Sequence, residues 1–269
     1  MKIFFLCNSQ SNQIALANKI HKEFKIKYIF AVKTKSKFKS RSLKKIIKNL
    51  LRGIFTFFIF RNSWFKMINY YKDKFLSFPI KPYLFLDDIN SLELKKKILD
   101  EKPDLVIVSG TNILKKELIN LVNSHGIIIN LHTGISPYLK GGPNCTNWAL
   151  YLKKFCLIGN TVHLIDEGID SGKIIITEKA KLSGFENMTD LHIKVMESGH
   201  DLLLRTIRFF INKNELKTYD QNKLKNHKLF FSNQWKLKEM IIALYNFYRY
   251  YNKDELDKDS YELININNL

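Results

Sequence analysis

The chain has 269 residues, of which 45% are hydrophobic and 26% charged, which fits one large folded domain or one domain with a small appendage. This composition excludes a disordered or fibrous protein, and the low counts of proline (5) and glycine (11) argue against an all-β sandwich. The 44 basic residues exceed the 25 acidic residues by 19, which indicates attraction to polyanions, although a Lys-rich surface also follows from an AT-rich coding background.

Cysteine usage and hydropathy indicate a cytoplasmic location. The three cysteines are odd in number and form no CxxC pair, so we expect free thiols and no metal centre. The apolar stretch at Ile3–Cys7 is too short for a signal peptide, and that at Gly53–Phe60 is far short of the roughly 20 residues that span a bilayer.

The start of the chain predicts a βαβ unit. Buried strands are expected at Ile3–Cys7 and Tyr28–Val32, with a polar turn at Ser9–Asn12 and a helix from Gln13 to Glu23 between them. This order predicts a parallel sheet with crossover helices.

Residues 33 to 75 have a different character. Nine Lys or Arg residues lie between Lys33 and Arg52, no acidic residue occurs between Phe24 and Lys72, and apolar residues follow helical spacing. We interpret the segment as a helical insertion that packs on the sheet and leaves its lysines solvated. The alternative is a basic amphipathic segment that lies on a membrane surface.

Strands and helices then alternate to residue 212. The expected elements are strands at Tyr83–Leu86, Leu105–Val108, Ile127–Leu131, Thr161–Ile165 and Lys173–Ala180, and helices from Ser91 to Glu101, Lys115 to Ser124, Pro143 to about Lys153, and Asn187 or Thr189 to about Phe210. A last helix is expected at Trp235–Tyr251, with a frayed tail from Lys253. We therefore expect a Rossmann-like α/β domain at 1–212, with a mostly parallel twisted sheet and helices on both faces, and a short, mainly helical C-terminal extension at 213–269.

Ligands of an open α/β sheet bind outside the carboxyl ends of its strands. Asn130 and His132 stand two apart at one such end, so their side chains share a face and could form an oxyanion site or a proton-transfer pair. Asp170, in a glycine-flanked turn, could bring a carboxylate to that imidazole and favour its charged form. A strand-end histidine is more often structural, so spacing alone leaves both interpretations open.

Several motifs together resemble the formyltransferases that use N10-formyltetrahydrofolate. They are Asn130-Leu131-His132, Pro137, Lys140-Gly141 and the run from Gly159 to Ile175, supported by Val108 to Ile119. The resemblance covers about residues 80 to 180 and is weaker at 1 to 32. It implies that Asn130, His132 and Asp170 are catalytic and stabilise a tetrahedral oxyanion. It also implies that the folate is held mostly through backbone groups, at Gly110, Ile113, Leu114, Asp166, Glu167 and Gly168.

The sequence departs from the family in the loop from Thr133 to Ser136, where the family often reads x-Ser-Leu-Leu, so the surroundings of the amine acceptor are in question. His163 also resembles a family position, but on an alternating strand we expect it to be structural.

Among the family's amine acceptors, a nucleotide-linked amino dideoxy sugar used for bacterial surface polysaccharide (O-antigen) fits best. The turn Ser9–Asn12 lacks the glycines with which glycinamide ribonucleotide enzymes cradle a phosphate, and few strand signals occur after residue 212 to form the C-terminal barrel of methionyl-tRNA enzymes. The run Gly141 to Leu150 resembles the sugar enzymes, which implies substrate contacts from Lys140, Asn144 and Trp148. We expect a homodimer without a stable nucleic-acid partner. The alternatives are a methionyl-tRNA formyltransferase and a non-catalytic relative that binds folate or a membrane surface.

Overall fold

A seven-stranded sheet forms the centre of the molecule. The computed structural model describes residues 1–33, 60–142, 144–213, 215–258 and 261–265. The strands lie in the order β3-β2-β1-β4-β5-β7-β8; those from β3 to β5 run parallel, and β7 and β8 are antiparallel to their neighbours. The strand bounds are β1 Ile3–Asn8, β2 Tyr28–Val32, β3 Leu84–Leu86, β4 Leu105–Ser109, β5 Ile127–His132, β7 Gly159–Leu164 and β8 Ile174–Lys179.

Two further strands form a small parallel sheet, in which β6, Lys140–Gly141, pairs with β9, Leu229–Phe230. The described helices are α1 Ser11–Phe24, α2 Asn62–Lys74, α3 Leu92–Glu101, α4 Lys116–Asn123, α5 Cys145–Tyr151, α6 Met188–Lys213, α7 Leu237–Tyr250 and α8 Lys253–Asp257. None of these helices is long and apolar enough to cross a membrane.

Helices cover both faces of the sheet because side chains alternate along each buried strand. Phe5 of β1 packs in one core with residues of α1 and α6, such as Leu16 and Leu203. Its neighbour Phe4 packs on the opposite face with residues of α3 and α4, such as Leu94. The predicted Rossmann-like architecture, with a mostly parallel sheet between helical layers and a helical C-terminal region, is confirmed.

The insertion helix α2 packs on helices rather than on the sheet itself. Its Met67 and Tyr71 are fully buried and lie in one apolar cluster with Ala15 of α1 and Met196 of α6. Residues 34–59 of the predicted insertion, and Pro143 at the predicted start of α5, lie outside the described residues. The described part of the insertion is therefore anchored to the domain, and α5 begins at Cys145.

The expectation of a frayed tail from Lys253 is wrong. Residues 253–257 form α8, and Leu256 is buried. Ile264 is also buried, and its backbone exchanges hydrogen bonds with Thr177 of β8: the Thr177 N–H donates to the Ile264 oxygen, and the Ile264 N–H donates to Thr177 Oγ1, both at 2.8 Å. The segment is mostly polar, so its composition does not indicate the few apolar side chains that anchor it. The division of the chain at residue 212 stays a prediction.

Candidate active site

Three polar side chains meet where β5 and β7 pair. In this antiparallel ladder Asn130 lies opposite His163, and His132 lies opposite Thr161. Cross-strand neighbours project to the same face of a sheet, so the side chains of Asn130, His132 and His163 come together. Asn130 Nδ2 lies 3.1 Å from His163 Nε2, and the two imidazole rings meet edge to face with centroids 6.4 Å apart.

The Asp170 carboxylate completes this cluster. Its Oδ2 lies 3.3 Å from His132 Nδ1, and its Oδ1 lies 3.4 Å from His163 Nε2. Asn130 Nδ2 is 3.5 Å from the same Oδ1, and the Gly141 N–H donates to Oδ2 at 2.9 Å. The cluster therefore joins the turn after β7 to the ends of β5 and β6.

Asp170 has a left-handed backbone, with φ of 47°, which costs a residue other than glycine of the order of 1–3 kcal/mol. A side chain from the C-terminal extension holds this conformation. Gln221 is buried, and its Nε2 donates to the main-chain oxygens of Asp170 at 3.0 Å and Gly172 at 2.6 Å.

The far side of the His132 ring contacts the loop that follows β5. His132 Nε2 lies 3.1 Å from the Leu139 carbonyl oxygen. Gly134 makes this approach possible, because a Cβ at that position would lie 2.6 Å from His132 Nε2 and 2.8 Å from the Leu139 oxygen. Thr161 fixes the loop, since its hydroxyl donates to the Gly134 oxygen at 2.6 Å and accepts the Ser136 N–H at 2.9 Å.

Burial and charge act in opposite directions on this cluster. Burial tends to raise the pKa of Asp170, but the imidazoles of His132 and His163 and the Gly141 amide outweigh it and hold that pKa well below its usual range. Burial lowers the pKa of His132 below its ordinary value, against the pull of Asp170. The His132 ring has an acceptor at each nitrogen, so its cation would satisfy both contacts. The site therefore combines a firmly ionised carboxylate with an imidazole that can take up and release a proton.

The cluster lines a cavity of about 540 Å³. The cavity is lined by the segments that follow β4 and β7, by the start of α1 and by residues of α2 and α6. Segments beside β6 and β9 complete the rim, at Gly141, Gly142, Phe230, Phe231 and Ser232. No lysine or arginine belongs to the lining, among the residues that the structure describes.

Most of the residues predicted to bind folate line this cavity, namely Gly110, Ile113, Leu114, Asp166 and Gly168. The Ile113 side chain is 66% exposed, which is unusual for isoleucine and leaves an apolar surface at the cavity wall. Glu167 is not part of the lining, and its carboxylate pairs with Lys116 Nζ at 2.8 Å. The structure thus brings five of these six residues together.

The predicted substrate-contact residues Lys140, Asn144 and Trp148 are not among the residues that line this cavity, and their contact with a substrate stays a prediction. Trp148 is buried, and its ring stacks on Phe230 with centroids 4.2 Å apart. Asn144 uses its Oδ1 to cap α5, where it accepts the Thr146 N–H at 3.0 Å. Lys140 is buried in β6, and burial lowers its pKa against the attraction of Asp170 and Asp166.

Sequence reasoning missed residues that lie far from the motifs. His163 contacts both Asn130 and Asp170, because the β5–β7 register places it opposite Asn130. Its expected structural role stays a prediction. Trp64 of α2 and Phe231 beside β9 reach the cavity from segments with no motif, so no sequence pattern points to them.

Residues 86–207, which contain the whole cluster, match the protein family described as formyl transferase. Among curated proteins, a methionyl-tRNA formyltransferase from Clostridium tetani is 34% identical over 130 residues, which are 48% of this chain and 39% of that protein. The chain thus spans less than half the length of this relative.

Solved structures match over nearly the whole chain at lower identity. A 4-N formyltransferase from Francisella tularensis has a TM-score of 0.56 and 20% identity, over 91% of this chain and 87% of its own. An N-formyltransferase from Helicobacter canadensis, in complex with folinic acid and dTDP-3-aminofucose, has a TM-score of 0.56 and 16% identity, over 92% of this chain and 81% of its own. At these identities the likeness establishes the fold.

Proposed function

Because residues 86–207 carry a formyl transferase domain, we propose that this protein moves a formyl group from N10-formyltetrahydrofolate to a primary amine. The observation that carries the proposal is the cluster of Asn130, His132 and Asp170 at the end of β5, inside a cavity of about 540 Å³. Such a cavity has the volume of an ordinary small-molecule site.

Each member of the cluster has a distinct role in this reaction. Attack by an amine places negative charge on the formyl oxygen, and the Asn130 amide donates a hydrogen bond to it. His132 Nε2 faces the Leu139 oxygen, so the charged ring offers the reacting oxygen its Nδ1–H, which that oxygen would share with Asp170 Oδ2 at 3.3 Å. Asp170 stays ionised and stabilises charged His132, while the proton of the attacking amine passes through water to N10 of the folate as the bond from N10 to the formyl carbon breaks. Losing one such donor typically costs about 10²–10³ in rate.

The residues beside β4 and β7 fit the folate co-substrate. Exposed Ile113, with Leu114 and Ile169, offers an apolar surface to a flat heterocycle. Residues 110–114 and 165–169 belong to no helix or strand, and those of their backbone groups that make no hydrogen bond within the protein can meet its polar edge. The Ile113 oxygen and the Gly168 N–H are not among these, since they bond to Asn90 and Asp166. The folate supplies the formyl carbon, and the chain orients it toward Asn130 and His132.

For the acceptor we favour a nucleotide-linked amino dideoxy sugar destined for surface polysaccharide. Support comes from the lack of glycine in the Ser9–Asn12 turn and from the match in fold, over 92% of the chain, to an N-formyltransferase solved in complex with dTDP-3-aminofucose. The runner-up is methionyl-tRNA formylation. It is favoured by the 34% identity to the clostridial relative and by the net charge of +19. The cytoplasmic location and the homodimer stay predictions.

The deciding experiment incubates the protein and N10-formyltetrahydrofolate with dTDP- and UDP-linked 3- and 4-amino dideoxyhexoses, initiator methionyl-tRNA and glycinamide ribonucleotide. Mass spectra then report the gain of one formyl group. We expect product with an amino-sugar nucleotide, and the absence of product with every amine contradicts formyl transfer.

Salt dependence separates the two acceptors. A sugar nucleotide has only two phosphates for basic side chains to neutralise. A plot of the logarithm of its binding constant against the logarithm of the salt concentration should therefore have a slope magnitude of about two or less, whereas transfer RNA gives a much steeper slope. Steep dependence together with competition by transfer RNA at micromolar concentration would favour the runner-up.

A further inference from the structure

The loop between β4 and α4 is held by a side chain from another part of the chain. Asn90, in the turn between β3 and α3, donates from Nδ2 to the Ile113 oxygen at 3.1 Å. Its Oδ1 accepts the Lys115 N–H at 2.7 Å. The carboxamide therefore bonds to the backbone on both sides of Leu114 and fixes the conformation of that residue. We call this pair of hydrogen bonds the Asn90 clamp.

The turn that carries Asn90 is itself fixed. The Asp88 carboxylate accepts the backbone N–H of Asn90 at 3.0 Å and a hydrogen from its Nδ2 at 3.2 Å. Ile89 is fully buried in the same core as residues of α3 and α4. Ser91 caps α3, where its hydroxyl accepts the Leu94 N–H at 3.3 Å. The carboxamide is therefore oriented before it bonds to the loop, so the clamp costs little conformational entropy.

The clamped loop needs support because it exposes apolar surface and forms no helix or strand. Ile113 is exposed, whereas the side chain of Leu114 is buried in the core. Both residues line the cavity, and Asn90 does not belong to the lining. The hydrophobic effect disfavours an apolar side chain in water. A loop without the clamp would therefore turn Ile113 away from solvent, and the cavity wall would lose this surface.

The contacts at the two ends of the loop make the clamp its central support. At the start of the loop, Asn8 Nδ2 donates to the Gly110 oxygen at 2.8 Å. At its end, Lys116 begins α4, and its Nζ pairs with Glu167 Oε1 in the turn after β7 at 2.8 Å. Both side chains of this ion pair are exposed, and such pairs contribute little to stability by themselves. The backbone between these ends is therefore held by Asn90.

From these contacts we infer that Asn90 is a positioning residue for the folate co-substrate. It holds the backbone around Leu114 and the exposed side chain of Ile113 in the conformation that receives the heterocycle. Asn90 acts through these two residues rather than by contact with the folate, and it takes no part in the transfer step. The inference rests on the proposed function, since it concerns the folate side of the same site.

The test compares folate binding with turnover in Asn90→Leu. Isothermal titration calorimetry measures the Kd of folinic acid, a formylated folate, with the full chain. We expect Asn90→Leu to raise this Kd about tenfold, because binding must then order a loop that the clamp orders in advance. The KM for N10-formyltetrahydrofolate should rise by a similar factor, whereas kcat at saturating folate should change by less than about twofold. General damage to the fold would lower kcat as well.

The matched control is Asn120→Leu, the same substitution at an exposed position of α4 outside the cavity lining. Hydrogen exchange of the Lys115 amide, followed by NMR, reports the clamp directly. This exchange should become faster in Asn90→Leu and stay unchanged in Asn120→Leu, and thermal melting verifies that both variants fold. In the unmodified protein, folinic acid should slow the exchange of the Lys115 amide, which gives an answer that needs no variant.

The inference and the proposed function fail in different ways. Equal Kd values of folinic acid in Asn90→Leu and Asn120→Leu would overturn the inference and leave the proposed function intact. The same holds if folinic acid binds and leaves the exchange of the Lys115 amide unchanged, or if kcat falls in Asn90→Leu while KM does not rise. An unmodified protein that neither binds folinic acid nor formylates any amine would remove the proposed function, and the inference with it.

Discussion

Gln221 holds the backbone of Asp170 by a hydrogen bond of 3.0 Å from its Nε2 to the Asp170 carbonyl oxygen. The same amide nitrogen donates to Gly172, so one buried side chain spans the turn that carries the carboxylate. Asp170 is one of five described residues other than glycine with a positive φ, and it needs such support to remain in that conformation. A side chain from the C-terminal extension is thus a positioning residue for the central carboxylate of the site.

We expect Gln221→Leu to lower kcat about tenfold or more and to raise the KM for folate by a smaller factor, because the released turn carries Asp170 and adjoins the proposed folate-contact segment 165–169. It should also lower the free energy of unfolding by about 1–3 kcal/mol, since two buried carbonyl oxygens lose their donor. Kinetics and urea unfolding measure both effects. Asn222→Leu is the control, because Asn222 is the neighbour of Gln221 in the chain, is exposed and is not among the residues that line the cavity. An unchanged kcat in Gln221→Leu would show that the turn holds its shape alone.

Substitutions of the cluster test the proposed chemistry. Asn130→Ala, His132→Asn and Asp170→Asn should each leave the fold intact and lower kcat at least about 100-fold, the scale of losing a positioned donor or proton carrier. His227→Asn serves as the control, since His227 is exposed and lies outside the cavity. Near-normal turnover in His132→Asn would mean that this imidazole is structural.

The close approach of Gly134 to His132 limits the size of the side chain that position 134 can hold. Gly134→Ala would place a Cβ 2.6 Å from His132 Nε2 and 2.7 Å from Cys145 Cβ, so the loop or the ring must move. We expect a loss of about 1–3 kcal/mol in the free energy of unfolding and a strong fall in kcat. At Gly142 the nearest atom to an added Cβ is Ser232 Oγ, at 3.2 Å, so Gly142→Ala should be far milder. Equal effects of the two substitutions on kcat would contradict the argument.

Two buried histidines of α6 predict acid sensitivity. Burial lowers the pKa of His192 to about 4, and burial, with a smaller contribution from Lys19, lowers that of His200 to about 3, both from an ordinary value of 6.5. The folded protein keeps both rings neutral, whereas the unfolded chain protonates them below about pH 6.5. Their contribution to the free energy of unfolding is therefore complete above about pH 6.5 and falls as the pH drops toward 4 for His192 and 3 for His200. Lowering the pH from 7 to 5 should reduce the free energy of unfolding by about 1–2 kcal/mol for each of the two histidines.

Urea unfolding at several pH values measures this loss. His200→Leu should flatten the acid limb of the stability curve, whereas His227→Leu should leave it unchanged because His227 is exposed. An acid limb with the same slope in His200→Leu as in the unmodified protein would exclude His200 as its source.

The sequence predicted those parts of the site that depend on one strand and its following loop. Asn130 and His132 share a face because they are two residues apart on β5, and the folate-contact segments follow strand ends. His163, Trp64 and Gln221 could not be found this way. Their positions depend on the register between β5 and β7, on how α2 seats against α1 and α6, and on where the C-terminal extension returns. Each of these depends on tertiary packing, which leaves no periodic pattern in the local sequence.

The pairing of β6 with β9 also sets the order in which the site can mature during translation. The Gly141 N–H that holds Asp170 lies in β6, and β6 pairs only with Leu229–Phe230 in the described part of the chain. Asn130, His132 and Asp170 are therefore all synthesised before Gln221, which holds the Asp170 turn, and before β9, which pairs with β6. A ribosome-bound chain that ends before residue 221 would contain every proposed catalytic residue and still lack the supports of the carboxylate. The C-terminal residues thus complete the assembly of the site, and their removal by proteolysis should abolish the proposed formyl transfer while the central sheet survives.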